Sequence, residues 1–427
     1  MKILKNILFF LIIYLPLEEF ILKWLFVSVT VYEILLLFSD FLIAFSILFF
    51  LFQNNFIIKL NRTTKYFSLF ILFSIISLIF SQVFTPYFFK IWVLTRYIFL
   101  FFIITRIFDL NDYKRVERLI IFTFFFQIVV GLVQLFNVPF LYDFFSPRSD
   151  LSMFSNWLVK GESGIAGTFN FTVTYGYFMF VFCGFLAISE YSNKKKVLLI
   201  LLAVISSLYS ESSLSFLVTF IFFVRYTLLL YPKHFFKYIF LVALFVTSFF
   251  YKSIINFSEP LKVVFNLFSE QWVIESIKFT RLGIMKLIPL FFSNDLFTIL
   301  FGFSLDGDAL TLFIENKMGT DLPHVLLNDV VIGIEDVYWV AHLYYFGLSG
   351  ILFFVLFFKS LYNRLKINKS LSKELIVQSK MMKLLIILTL LSGFVNQVFS
   401  FKSFMLYFFI TISYFYCKKE RSPKHHL

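Results

Sequence analysis

Long apolar runs recur along the chain, each near the roughly 20 residues that a helix needs to cross a bilayer. Short polar breaks separate them. They predict spans at about 6–22, 34–52, 66–84, 88–105, 119–138, 171–189, 197–210, 214–231, 238–255, 337–358, 384–400 and 403–417. The seventh span is short and meets the eighth at Ser210-Glu211-Ser212-Ser213, which predicts a tight hairpin or a broken helix. No soluble domain, internal repeat or low-complexity linker interrupts the series. Residues 1–427 therefore read as one all-α polytopic membrane domain with about twelve transmembrane helices. Lys2 and Lys5 precede the first apolar run as in a signal peptide. Pro16, Glu18 and Glu19 then stand where a small-residue cleavage site would be, so an uncleaved span is predicted.

Composition agrees with this pattern. The chain is 60% hydrophobic and only 15% charged, where a soluble domain carries about 25% charged residues. Mean hydropathy is +0.88. Disordered, collagen-like and disulfide-scaffold classes are excluded. Cys183 and Cys417 lie far apart in apolar segments, so neither a disulfide framework nor a zinc site is indicated. The 69 phenylalanines fit an AT-rich coding bias and carry no functional weight.

The net charge of +13 suggests nucleic acid only until it is divided by loop. Alternation from an inside N-terminus assigns 1–5, 53–65, 106–118, 190–196, 225–237, 359–383 and 418–427 to the cytoplasmic side, with both termini there. These stretches hold 26 of the 38 Lys and Arg residues and 6 of the 25 Asp and Glu residues. The inside thus sums to +20 and the remainder to −7. Positive charge concentrates where the topology rule places it, and no nucleic-acid partner is implied.

The exterior loops are unequal. Most are a few residues long, but 139–170 and 256–336 are large, the second lying just before the tenth span. Within it, 279–292 and 296–303 are apolar pieces broken by Arg281, Lys286, Pro289, Asn294 and Asp295. They suit amphipathic helices lying on the membrane.

Several residues could carry chemistry. Gly164-Ile165-Ala166-Gly167-Thr168-Phe169-Asn170 enters the sixth span. Small residues there admit close backbone approach, and Asn170 offers a hydrogen bond, although a plain loop and N-cap accounts for it as well. Arg281, with Lys278 nearby, suits bidentate capture of a phosphate or an anchor to lipid phosphates. Arg148 and Lys160 are the basic groups of the smaller exterior loop. His324 sits in a polar loop, and Glu335 and Asp336 stand at the start of the tenth span, where helix capping is an alternative role. His342 lies inside that span, where bonding to a neighbouring helix is the ordinary role. Gly347 and Gly350 suit helix packing. Arg96 and Asp40 are intramembrane charges. Such groups default to function, although Arg96 is also placed to snorkel. No HExxH motif, Walker loop or DxD pair occurs, and no metal or other cofactor is called for.

Three local patterns together resemble the O-antigen polymerase and O-antigen ligase superfamily. Gly167-Thr168-Phe169-Asn170 is similar to its glycine-phenylalanine-asparagine entry to a span. Arg281 followed by Phe301-Gly302-Phe303 is similar to its arginine and glycine-centred stretch. Asp336-Val337-Tyr338 with Gly347-Leu348-Ser349-Gly350 is similar to its motif entering the next span. The chain departs from the family at Gly164 and at Ser212-Ser213, where arginines are the family pattern. The resemblance implies a metal-independent membrane glycosyltransferase of the bacterial inner membrane. Its substrate would be an undecaprenyl-diphosphate-linked glycan, polymerised into surface polysaccharide such as O-antigen or capsule. Arg281, Arg148, Lys160, Arg96 and Asn170 would bind that substrate, and His324 or Asp336 would act on the acceptor. The bilayer and a chain-length regulator protein would be its partners. An O-antigen ligase, a lipid-linked oligosaccharide flippase and a solute transporter are the competing readings.

Overall fold

The computed structural model describes residues 1–25, 29–54, 61–79, 84–145, 165–169, 171–210, 212–234, 240, 287–303, 337–367 and 372–421. Every element of regular structure among them is helical. The helices are α1 (Lys2–Leu25), α2 (Val29–Gln53), α3 (Arg62–Ile79), α4 (Phe84–Ile107), α5 (Leu110–Leu135), α6 (Leu141–Phe145), α7 (Thr172–Ile188), α8 (Asn193–Leu208) and α9 (Ser213–Leu230). After them come α10 (Leu287–Phe291), α11 (Leu296–Phe301), α12 (Tyr338–Arg364), α13 (Lys373–Ser392) and α14 (Lys402–Arg421). α8 ends at Leu208 and α9 begins at Ser213, and the two pack on each other as in the hairpin of the two alternatives.

The expectation of twelve spans is corrected. Among the described residues, seven helices are long and apolar enough to cross a membrane. They are Ile34–Gln53, Arg62–Ile79, Phe88–Ile107, Leu110–Leu135, Ser213–Leu230, Tyr338–Arg364 and Lys373–Ser392. This makes the chain a multi-pass membrane protein. The shortfall has physical causes. α1 carries Lys2, Lys5, Glu18, Glu19 and Lys23, and α14 carries Lys402 and a charged last turn. α7 and α8 have 17 and 16 residues, too few for a hydrocarbon core of about 30 Å. The predicted ninth span, 238–255, lies outside the described residues apart from Phe240.

Two helices form the centre. α7 is buried over nearly its whole length, and α14 is buried from 403 to 416. α7 packs on α8, α9, α13 and α14, while α14 also meets α1, α4 and α5. α3 lies along α12, and α2 bridges α1 and α4. Aromatic rings fill the seams: Phe124 stacks on Phe182 at 3.6 Å and Tyr113 on Tyr414 at 4.6 Å. Serine and threonine hydroxyls inside the helices donate back to carbonyls four residues earlier, as Ser46 does to Leu42 and Thr411 to Tyr407. Without water, this disposes of polar groups that would otherwise be costly.

Basic stretches far apart in sequence meet at one end of the bundle. Lys5 pairs with Asp112 at 2.5 Å, Lys114 with Glu190 at 3.9 Å and Lys196 with Glu374 at 3.3 Å. Lys419 donates to the carbonyls of Arg364 and Lys366, and Thr63 bonds Ser360. Six of the seven stretches assigned to one side by charge therefore share an end.

A buried ionic centre and an interlocked helix break

Of the predicted site residues, Arg96 alone lies among the described residues; Arg148, Lys160, Asn170, Arg281, His324 and Asp336 lie outside them. Arg96 does not snorkel. It is 2% exposed, and its Nη1 donates to Asp40 Oδ1. Trp92 Nε1 donates to the same oxygen at 2.8 Å. Lys402 joins from the first turn of α14. Its ammonium meets Glu18 Oε2 at 2.9 Å and Asp40 Oδ2 at 3.7 Å. It also donates to Ser39 Oγ and the Leu36 carbonyl at 2.9 and 3.0 Å.

Two cations and two carboxylates thus balance inside the protein and tie α1, α2, α4 and α14 together. Arg96 lies ten residues, about 15 Å of helix, from Arg106 at the basic end. That is near the middle of a ~30 Å core. Charge at this depth survives because each ion has a counterion. The Arg96 charge is spent on Asp40, so this arginine does not stand open to an anion. Lys402 and Glu18 escaped the sequence reading. The one available signal was three charges, Glu18, Glu19 and Lys402, at positions that a bilayer-crossing helix disfavours.

The Gly167 loop is spent in the same way. Ala166 and Gly167 amides donate to Gln134 Oε1, and Gln134 Nε2 donates to the Gly167 carbonyl at 2.7 Å. The Thr168 amide donates to Gln127 Oε1, while its hydroxyl donates to the Pro16 carbonyl. Pro16 cannot supply the amide that Ile12 would accept in a regular helix. Tyr407 fills the gap, donating from its hydroxyl to the Ile12 carbonyl at 2.8 Å. Thr168 and Tyr407 therefore satisfy carbonyls of α1 around Pro16.

The other two motif stretches meet. α12 breaks at Gly347, whose φ of 63° and ψ of −167° separate segments 338–346 and 348–364. Gly302, at φ 82°, ends α11 against this break. A Cβ on Gly302 would sit 2.5 Å from the Tyr345 backbone, and one on Gly347 would sit 2.5 Å from the Leu300 backbone. Only glycine fits either place, because a side chain would clash and the left-handed backbone would be strained. Three hydrogen bonds hold the joint. Phe303 N donates to Tyr344 O, Ser349 Oγ to Leu300 O and Ser77 Oγ to Phe301 O, at 2.7, 2.7 and 2.9 Å. The carbonyl end of α11 thereby faces the amide end of 348–364, the favourable head-to-tail order of helix dipoles.

His342 lies in the first segment of α12. It is fully buried, and neither ring nitrogen has a hydrogen-bond partner, against the expected bond to a neighbouring helix. Its ring packs among Phe70, Tyr338, Phe346 and Phe354, with centroids 4.9 to 5.7 Å away. Among the described residues no cluster of three metal-ligating side chains occurs.

No protein-family model, no curated protein and no solved structure matches the chain.

Proposed function

We propose that the chain is a membrane glycosyltransferase that polymerises undecaprenyl-diphosphate-linked oligosaccharide repeats into surface polysaccharide. It works in a bacterial cytoplasmic membrane with its basic end inside. The observation that carries this reading is the interlock of Phe301-Gly302-Phe303 with Gly347-Leu348-Ser349-Gly350, two of the three stretches that resemble the polymerase and ligase superfamily. The interlock has a geometric consequence. Phe303 is bonded to Tyr344, and Val337 immediately precedes α12. Phe303 and Val337 therefore both lie against the first segment of α12.

The chemistry follows from the donor. An acceptor sugar hydroxyl attacks the anomeric carbon of the lipid-linked glycan. The bond from that carbon to the diphosphate oxygen breaks, and the lipid diphosphate leaves with the electron pair. Arg281 holds the leaving diphosphate, with Arg148 and Lys160 as further cations. His324 or Asp336 takes the hydroxyl proton. Replacement of Arg281 by alanine is expected to abolish long-chain polymer while membrane insertion persists. Normal polymer length from that variant overturns the assignment.

A lipid-linked oligosaccharide flippase is the second reading, but the centre around Arg96 is neutral, with Arg96 paired to Asp40 and Lys402 to Glu18, and so offers no free cation to a passing diphosphate. Under the flippase reading, loss of the protein leaves the lipid-linked glycan on the cytoplasmic face, and no repeat reaches the surface.

A further inference from the structure

The ionic centre contains three polar atoms that no protein group satisfies: Glu18 Oε1, Arg96 Nε and the Tyr97 hydroxyl. Glu18 and Arg96 are each 2% exposed and Tyr97 is 1% exposed. The Arg96 guanidinium lies 5.0 Å over the Tyr97 ring, and the Tyr97 hydroxyl is within electrostatic reach of Arg96, Asp40 and Glu18. Glu18 Oε1 is an acceptor without a donor, Arg96 Nε–H is a donor without an acceptor, and the phenol is both. A metal cation would satisfy the first and repel the second. A simple anion would do the reverse. A group that donates and accepts at once, an O–H, can satisfy each of them.

We propose that the centre is a binding site for O–H groups, filled by water or by a sugar hydroxyl and entered past Lys402. Lys402 is the most open of its four charged members, with its side chain 21% exposed. Bound hydroxyls complete the hydrogen bonding of a charge cluster that otherwise leaves polar atoms bare in a low-dielectric interior, a cost that buried water commonly removes. The site stands on the described geometry and does not depend on the polymerase reading.

Pulsed radiolytic footprinting of the whole protein in nanodiscs tests it, because hydroxyl radicals form from water held beside a side chain. Tyr407 is the internal control. It is as buried as Tyr97, but its hydroxyl is bonded to Ile12 and Thr123. Tyr97 is expected to be oxidised several-fold faster than Tyr407. Added N-acetylglucosamine separates the sources. Protection of Tyr97 identifies a sugar hydroxyl, and an unchanged rate identifies water. Equal, slow oxidation of Tyr97 and Tyr407 overturns the proposal. Replacing Glu18 by leucine together with Lys402 by methionine should bring the Tyr97 rate down to that of Tyr407, and a Tyr97 rate that persists in this folded variant also overturns it.

Discussion

Asp40 accepts hydrogen bonds from Trp92 and Arg96, so removing it strands the buried Arg96, while Lys402 keeps Glu18. Breaking a buried pair by deleting one partner costs about 3–5 kcal/mol. Asp40→Asn is therefore expected to lower the thermal unfolding temperature of the detergent-solubilised protein sharply. Asp40→Leu combined with Arg96→Met should recover much of the loss, since apolar replacement of both ions removes the stranded charge. At the basic end, Asp109 caps α5 and accepts from the amides of Asp112 and Asn111. The Asp112 amide bond first, then Asn111 and Lys5, hold its carboxyl below the ordinary aspartate range. A lowered folded value means that this contribution is present above the unfolded value and is lost as pH falls through the folded one. The stability difference between the protein and Asp109→Ala should therefore shrink on acidification. A constant difference across the acidic range contradicts that role. The cost of Arg96 and Asp40 was legible in the sequence, because charges inside apolar runs demand partners. Their connection to Lys402 was not, since it depends on α14 returning beside α1 and α2.

The joint between α11 and α12 rests on two glycines with positive φ and no room for a Cβ. Gly302→Ala and Gly347→Ala should each destabilise by about 1–3 kcal/mol. Limited proteolysis should also show earlier cleavage near residues 292–303 in both variants. Unchanged protease resistance in both would show that the joint is not a rigid anchor. Gly350→Ala tests a different contact, since its Cβ would strike Phe346 within α12. Hydrophobic runs predicted where most helices lie, including both ends of α7 to within a residue, although α5 begins nine residues before its predicted span. They overstated how many meet the length and apolarity of a membrane span. α1, α7, α8 and α14 are short or charged, and they gain their place from packing. The break inside α12 was read as helix packing at Gly347 and Gly350. Its cause, the backbone of Leu300 pressed against Gly347, lies in a segment 47 residues earlier. Sequence periodicity does not carry such a contact.

Across the whole molecule, charge organises the fold at the basic end and around the buried ionic centre. Lys5, Lys114, Lys196 and Lys419 cross-link the basic end, and one neutral ionic centre ties the first helix to the last. In the proposed topology the basic end faces the cytoplasm, as the positive-inside rule predicts. A single cysteine introduced at exposed Lys195, in a background without Cys183 and Cys417, should react with an impermeant maleimide only after the cells are opened. Labelling of intact spheroplasts would invert the topology and remove the exterior active site from the account. The central claim is repeat-unit polymerisation, and it is tested most directly by electrophoresis of surface polysaccharide from a strain lacking the protein. A single repeat unit attached to its acceptor is expected, with long chains restored by the intact protein and not by Arg281→Ala. Undiminished long-chain polysaccharide in the deletion strain, or loss of even the single repeat, would contradict it.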